Sequence, residues 1–367
     1  TALHEGIDWE WETFPEFLDA IERKEFVMDL GFMIGHGPVR SYVMGYDRCQ
    51  NQVDASKDEI NQMSEIVEKA INAGALGFST SRTILHRDVH GVYVPGTEAS
   101  SEEMMELAFA VDRAGEGTLE IVSDWLDQEI EMSWMKEYVE KSDCGLTVLQ
   151  TNGDSVKTIL YCEEQFLKGK NVRPQFPGRN VGLMFGLESS LHPFIGHPSY
   201  KDISHLPLNE RLSIMRDPAF KQKILNESPS FREDLQKAAK EQKSNKTKEE
   251  IKAEAEIGKK LISNYETQFI LSDPPNYEPT REDSIAYLAE QRNQSEEEVI
   301  YDELIKDDGK SLIYACFTPY ENHKLKFVET FYKLKSSVAG GSDGGAHCGL
   351  ICDASMPTTN LSHWARD

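Results

Sequence analysis

The sequence predicts an α/β chain built around a parallel sheet. Short apolar runs alternate with amphipathic helical segments at a repeat of roughly 35–40 residues, the rhythm of strand–helix–strand units. The runs end in polar residues (His36, Ser79, Thr80, Ser123, Asp124 and Gln150), as strands do where their carboxyl ends open onto a functional face. At 367 residues the chain accommodates a barrel of about 250 residues with insertions, or two ordinary domains.

The elements follow in order. Phe26-Val27-Met28, Leu30 and Phe32-Met33-Ile34 form an apolar run that reads as a strand over 25–36, leading into Gly35-His36-Gly37. Ser56 and Glu59 have the spacing of a capping box. They open a helix to about Asn72 with Ile60, Met63, Ile66, Val67, Ala70 and Ile71 on one face, and Gly74 ends it. A strand over 75–80 follows. Ser100 and Glu103 make a second capping box, for a helix over 101–114. Strands over 119–123 and 146–150 alternate with helices over 129–142 and 156–168, and 172–187 holds the next strand or two. These strands are short and apolar, the pattern of strands buried on both faces.

The rhythm breaks near residue 190. The expected organisation is barrel units over 1–199, a helical insertion over 200–305 and, over 306–367, the last strands (312–317 and 337–341) with a glycine-rich Asp loop. Thr280–Asp283 and Ser295–Glu298 read as helix starts inside the insertion.

Charge and composition exclude several classes. The chain carries 39 Lys+Arg against 63 Asp+Glu, a net charge of −24. Nucleic acids and anionic membranes require clustered cations, so neither is an expected partner. Residues 221–260 carry +3, which leaves −27 on the rest. Six cysteines without a CxxC pair make no disulfide framework, and a reducing, cytoplasmic compartment is expected. No apolar run approaches the ~18 residues of a membrane helix.

The phosphate-loop, dinucleotide and HExxH motifs are missing, as is any HxH. The densest constellation is Gly340-Gly341-Ser342-Asp343-Gly344-Gly345-Ala346-His347, after a predicted strand. A strand-end Asp343 holds a metal or takes a proton from water, and flanking glycines admit a substrate close to the backbone. The plainer reading is a tight turn capped by Asp343. The same stretch matches GxSxG, with Ser342 as nucleophile and Asp353 and His363 as partners, but too little chain follows to carry them on further strands. His86 and His90 have ligand spacing, yet Asp88, Gly91, Pro95 and Gly96 make their stretch a loop. His192, His197 and His205 stand beside prolines and also read as loop residues, and Cys348 and Cys352 read as small buried residues.

Four motifs occur in sequence: Gly35-His36-Gly37-Pro38-Val39-Arg40, Gly74-Ala75-Leu76-Gly77-Phe78-Ser79-Thr80-Ser81-Arg82, Tyr93-Val94-Pro95-Gly96-Thr97 and Gly341-Ser342-Asp343-Gly344-Gly345-Ala346-His347. Together they resemble the N-acyl-D-amino-acid deacylase (D-aminoacylase-like) group of the metal-dependent amidohydrolase superfamily. The resemblance implies a (β/α)₈ TIM-type barrel, hydrolysis of the amide of an N-acyl-D-amino acid, and a divalent metal, zinc, at the barrel mouth. Zinc lowers the pKa of bound water towards ~7 and polarises the carbonyl. Asp343 matches the family's proton-shuttling Asp, with His347 beside it.

Some positions depart from that pattern. The family carries imidazoles at two strand ends that here read Ser123-Asp124 and Gln150-Thr151. Asp343 and Asp124 are the candidate metal ligands that the chain itself offers. A substrate carboxylate meeting a chain of net charge −24 needs local cations. Arg40, Arg82 and Arg179 follow predicted strands and suit a bidentate clamp, with Tyr93 as a further substrate-binding candidate. The chain opens on Thr1 and stops at Asp367 without a helix-ending signal. It is expected to be an incomplete barrel, roughly the third to eighth strand units of a longer protein. The alternative expectation is a catalytically inactive barrel acting as a binding or scaffold subunit.

Overall fold

The computed structural model describes residues 9–88, 92–125, 127–150, 156–230, 252, 255, 256, 259, 260, 262–318, 320–342, 349 and 353–366. These residues hold nine strands: β1 (Ile34–Gly35), β2 (Gly77–Arg82), β3 (Thr118–Ser123), β4 (Gly145–Leu149), β5 (Val172–Phe176), β6 (Val181–Phe185), β7 (Gln268–Ile270), β8 (Ile313–Thr318) and β9 (Val338–Ala339). The chain divides into two compact units, one of Thr1–Phe176 with Tyr332–Ala339, the other of Pro177–Phe331 with Gly340–Asp367.

The first unit is an α/β unit on a six-stranded parallel sheet in the order β1-β2-β3-β4-β5-β9. Helices Lys57–Asn72, Ser101–Ala114, Gln128–Lys141 and Val156–Leu167 make the crossovers. In-register apolar residues run across the sheet: Phe78, Leu119, Leu146 and Val172 in one row, Ile121 and Val148 in the next. All are buried and pack with Met63, Val67, Leu107, Val111, Met135 and Tyr138 from the helices. Burying each such side chain stabilises by about 1.5–3 kcal/mol. The strands were expected to be buried on both faces. They instead alternate, because Glu120 and Thr147, on the face away from these helices, are polar and only partly buried.

The strand expected over 25–36 is formed only at Ile34–Gly35. In the parallel register Ile34 faces Phe78, and β2 begins at Gly77, so the residues before Met33 lie beyond the end of their partner strand. Phe26, Val27, Met28 and Leu30 are exposed as a result. The Ser56–Glu59 capping box forms reciprocally. The Ser100–Glu103 box forms by half: Ser100 accepts from the Glu103 amide, but the Glu103 side chain turns inward instead of back to the cap.

The second unit holds a three-stranded antiparallel sheet, β6-β8-β7, with helices Pro198–Ile203, Leu208–Met215, Pro218–Leu225, Ile285–Arg292 and Glu296–Leu304. Its core joins Phe185, Phe194, Tyr200, Ile300, Tyr301 and Ile313. The insertion over 200–305 is therefore not helical throughout, since β7 lies within it. The run read as a late barrel strand, 312–317, is the middle of this antiparallel sheet, where β6 and β7 supply the pairing that its backbone needs. The predicted helix starts hold: Thr280 caps a short 3₁₀ turn and Ser295 caps Glu296–Leu304. No helix among the described residues is long and apolar enough to cross a membrane.

Candidate functional site

In a parallel α/β unit the carboxyl ends of the strands are where chemistry collects. At the end of β1, His36 opens the helix His36–Met44 and is buried. Its Nε2 lies 2.8 Å from Glu103 Oε1 and its Nδ1 lies 2.9 Å from Thr80 Oγ1. Burial holds the imidazole below its ordinary pKa, against the pull of Glu103, so the ring is neutral. An ionised carboxylate only accepts, so Nε2 carries the proton and donates to Glu103, while Nδ1 accepts from the Thr80 hydroxyl.

Arg40, a predicted substrate clamp, donates from Nε to the same Glu103 Oε1 at 2.7 Å and from Nη2 to the Val53 carbonyl at 2.8 Å. Burial alone would raise the Glu103 pKa. The hydrogen bonds from His36 and Arg40 outweigh it and hold the carboxyl below its ordinary value.

Arg82, at the end of β2, donates from Nε to Glu131 Oε1 at 2.8 Å and from Nη1 to the Ala99 carbonyl at 2.9 Å. Its side chain keeps 11% exposure, against 2% for Arg40 and 0% for Arg179. Just past β3, Asp124 accepts from Thr83 Oγ1 at 2.6 Å on one oxygen and from the Ile84 amide at 2.7 Å on the other. Past β4, Gln150 is buried; its Nε2 donates to the Leu149 carbonyl and its Oε1 has no partner. Tyr93 is buried at the backbone bridge to Arg87, whose guanidinium lies 4.5 Å over its ring. His86 Nδ1 meets Ser81 Oγ at 2.7 Å, and His90 lies outside the described residues.

Arg179 belongs to the second unit. It donates to Asp353 Oδ1 at 2.9 Å and to Ser355 Oγ at 3.1 Å, and it stacks 3.9 Å over the Tyr277 ring. Arg179, Tyr277 and Ser355 line an open cavity of about 330 Å³ together with Asn276, Glu278 and His363. Asp353 and His363, the partners that a Ser342 nucleophile would need, pair instead with Arg179 and Glu278. His192 and His197, read as loop residues, are buried next to the aromatic core.

Asp343 and His347, the predicted catalytic pair, lie outside the described residues, as do Cys348 and Cys352. The strand ends thus bring Arg82 beside Asp124, whose amide meets the Arg82 carbonyl at 3.4 Å, and join Arg40 to His36. Sequence reasoning missed Glu103 and Glu131 as the anchors of two of the arginines. The only signal for Glu103 was its place in a capping-box pattern.

The donor set at these strand ends does not fit zinc. Both nitrogens of His36 and both oxygens of Asp124 are engaged, and Gln150 offers one neutral oxygen. Among the described residues no group of three or more His, Cys, Asp or Glu is placed to hold a metal ion.

Comparison with known proteins gives the chain its relatives. No protein-family model matches it. The D-aminoacylase of Alcaligenes xylosoxydans xylosoxydans is 30% identical over 105 residues, which are 29% of this chain and 19% of that protein. An uncharacterized protein of Mycobacterium tuberculosis (strain ATCC 25618 / H37Rv) is 30% identical over 70 residues, 19% of this chain and 12% of that protein. Among solved structures, a D-aminoacylase described as defining a novel subset of amidohydrolases aligns with TM-score 0.41 at 15% identity, over 89% of this chain and 51% of that one. The N-acyl-D-glutamate deacylase of Bordetella bronchiseptica, solved with zinc and a phosphonate inhibitor, aligns with TM-score 0.43 at 13% identity, over 89% and 51%. The chain spans about half the length of these solved proteins, and its sequence match covers about a fifth of the curated D-aminoacylase. Over those 105 residues the chain is similar in sequence to a D-aminoacylase.

Proposed function

We propose that the chain is part of a hydrolase that removes the acyl group from an N-acyl amino acid, of D configuration by family likeness. The observation that carries this reading is the 105-residue match to a D-aminoacylase. In the reaction water adds to the amide carbonyl, the carbon–nitrogen bond breaks, and a carboxylate and a free amine leave. Asp343 takes the proton from the attacking water and delivers it to the departing nitrogen, and His347, four residues on in sequence, is the second catalytic candidate. Of the three candidate arginines, Arg82 best suits the substrate carboxylate, because its side chain keeps the most exposure of the three. Arg40 and Arg179 hold the fold through Glu103 and Asp353. The donor set described above supports no step through zinc.

The test is hydrolysis of a panel of N-acetyl-D- and N-acetyl-L-amino acids by the intact protein. Turnover that is lost in Asp343→Asn with the circular dichroism unchanged supports the reading, and so does a raised KM in Arg82→Ala. Turnover retained in Asp343→Asn removes that residue from the mechanism. Absence of hydrolysis across the panel favours a binding or scaffold subunit.

A further inference from the structure

We infer that the ends of β1 to β4 contribute no ligand to a transition metal in this protein, and that Asp124 instead clamps the turn after β2. A ligand must offer a free lone pair. His36 has none, since Nε2 is protonated against Glu103 and Nδ1 accepts from Thr80. Rotating the ring outward would leave Glu103 and Arg40 buried without their third member, a costly rearrangement. Asp124 accepts on each oxygen, from Thr83 Oγ1 and from the Ile84 amide, which holds its carboxylate on the turn after Arg82, and its remaining lone pairs meet no cluster of three or more His, Cys, Asp or Glu among the described residues. Ser123 Oγ accepts from the Trp125 amide.

Arg82, at the end of β2, is paired with Glu131 and offers a cation and no lone pair. Gln150 Oε1 is the one unpartnered acceptor among these side chains, and a single neutral oxygen does not make a zinc site. The strand ends are therefore a hydrogen-bonded scaffold. Any metal used by the whole protein takes its ligands from elsewhere.

The experiment reads metal content, so it is independent of hydrolysis. The full chain is stripped with a chelator, loaded with excess Zn²⁺ or Co²⁺, desalted and analysed by plasma mass spectrometry. Wild type, Asp124→Asn and Gln150→Ala are expected to show the same metal-to-protein ratio, whether that ratio is zero or one. A stoichiometric ratio in wild type that falls in either variant, with both folded by circular dichroism, overturns the inference. For the clamp, Thr83→Val removes a donor to Asp124 without touching any candidate ligand. Hydrogen-exchange protection of the Ile84 amide is expected to fall several-fold in Thr83→Val and about tenfold in Asp124→Ala. Unchanged protection in both rejects the clamp.

Discussion

His36 Nε2 lies 2.8 Å from Glu103 Oε1, and both side chains are 1% exposed. The same carboxylate balances the buried Arg40 guanidinium. One helix residue thus ties the β1 end to the crossover helix Ser101–Ala114 that follows β2.

Removing Glu103 leaves a buried cation with no counter-charge, and breaking such a pair from one side costs about 3–5 kcal/mol. Glu103→Ala is expected to lower the unfolding free energy of the first unit by that amount, with a lower urea midpoint, and Glu103→Gln is expected to be intermediate. Because the folded pKa values of Glu103 and His36 both lie below their ordinary values, the stabilisation is full above about pH 6.5. It is lost progressively as pH falls, first through the histidine range and then through the carboxylate range. Urea titrations at several pH values check both statements; a midpoint independent of pH in wild type contradicts the second.

The second unit has its own acid sensitivity. Burial depresses the His192 pKa to about 3, with Arg211 adding to the effect. The neutral ring packs edge-on to Tyr200 at 4.5 Å. A depressed folded pKa stabilises above the unfolded value, and that contribution disappears as pH falls from about 6.5 toward the folded value, at up to about 1.4 kcal/mol per pH unit. His192→Phe keeps an aromatic packing partner and is expected to flatten the pH dependence of unfolding in that range. An identical slope in the variant assigns the acid sensitivity to another group.

Gly96 separates backbone strain from steric fit. Its φ is +99° and a Cβ there would stand 2.6 Å from His36 Nδ1. Gly115 has φ +83° with nothing within 4 Å of a Cβ. Gly115→Ala therefore meets only the left-handed backbone cost, about 1 kcal/mol, whereas Gly96→Ala adds displacement of the buried imidazole. Thermal unfolding is expected to show a clearly larger drop in Tm for Gly96→Ala. Equal drops mean that the His36 ring gives way freely.

Arg179 joins a buried ion pair with Asp353 to a stack on Tyr277. Lysine supplies the charge but neither the planar face nor the fork of donors. Arg179→Lys is expected to destabilise the second unit by a few kcal/mol, towards the loss of about 3–5 kcal/mol from breaking the pair in Asp353→Ala. A double-mutant cycle in urea measures the coupling, and a coupling near zero rejects the pair as a stabilising element.

Much of the first unit was legible in the sequence because local rules governed it. Ser56 with Glu59, the 3.6-residue apolar stripe up to Ile71, and the runs around Phe78, Leu119, Leu146 and Val172 specify helices and strands without reference to distant residues. The antiparallel sheet of β6, β8 and β7 was not legible. Its partners lie 128 residues or more apart from β6 to β8, and pairing direction leaves no trace in a single apolar run.

The candidate site divides the same way. Sequence determined which polar residues stand at strand ends, among them His36, Arg82, Asp124 and Gln150. Tertiary structure alone decided what those residues do. Glu103 and Glu131 come from helices remote in sequence to bind Arg40 and Arg82, and Thr83 with Ile84 occupies both oxygens of Asp124. The physical reason is that a buried charge must find a counter-charge wherever the packed chain brings one, and that partner is set by three-dimensional proximity, which periodicity and spacing do not encode.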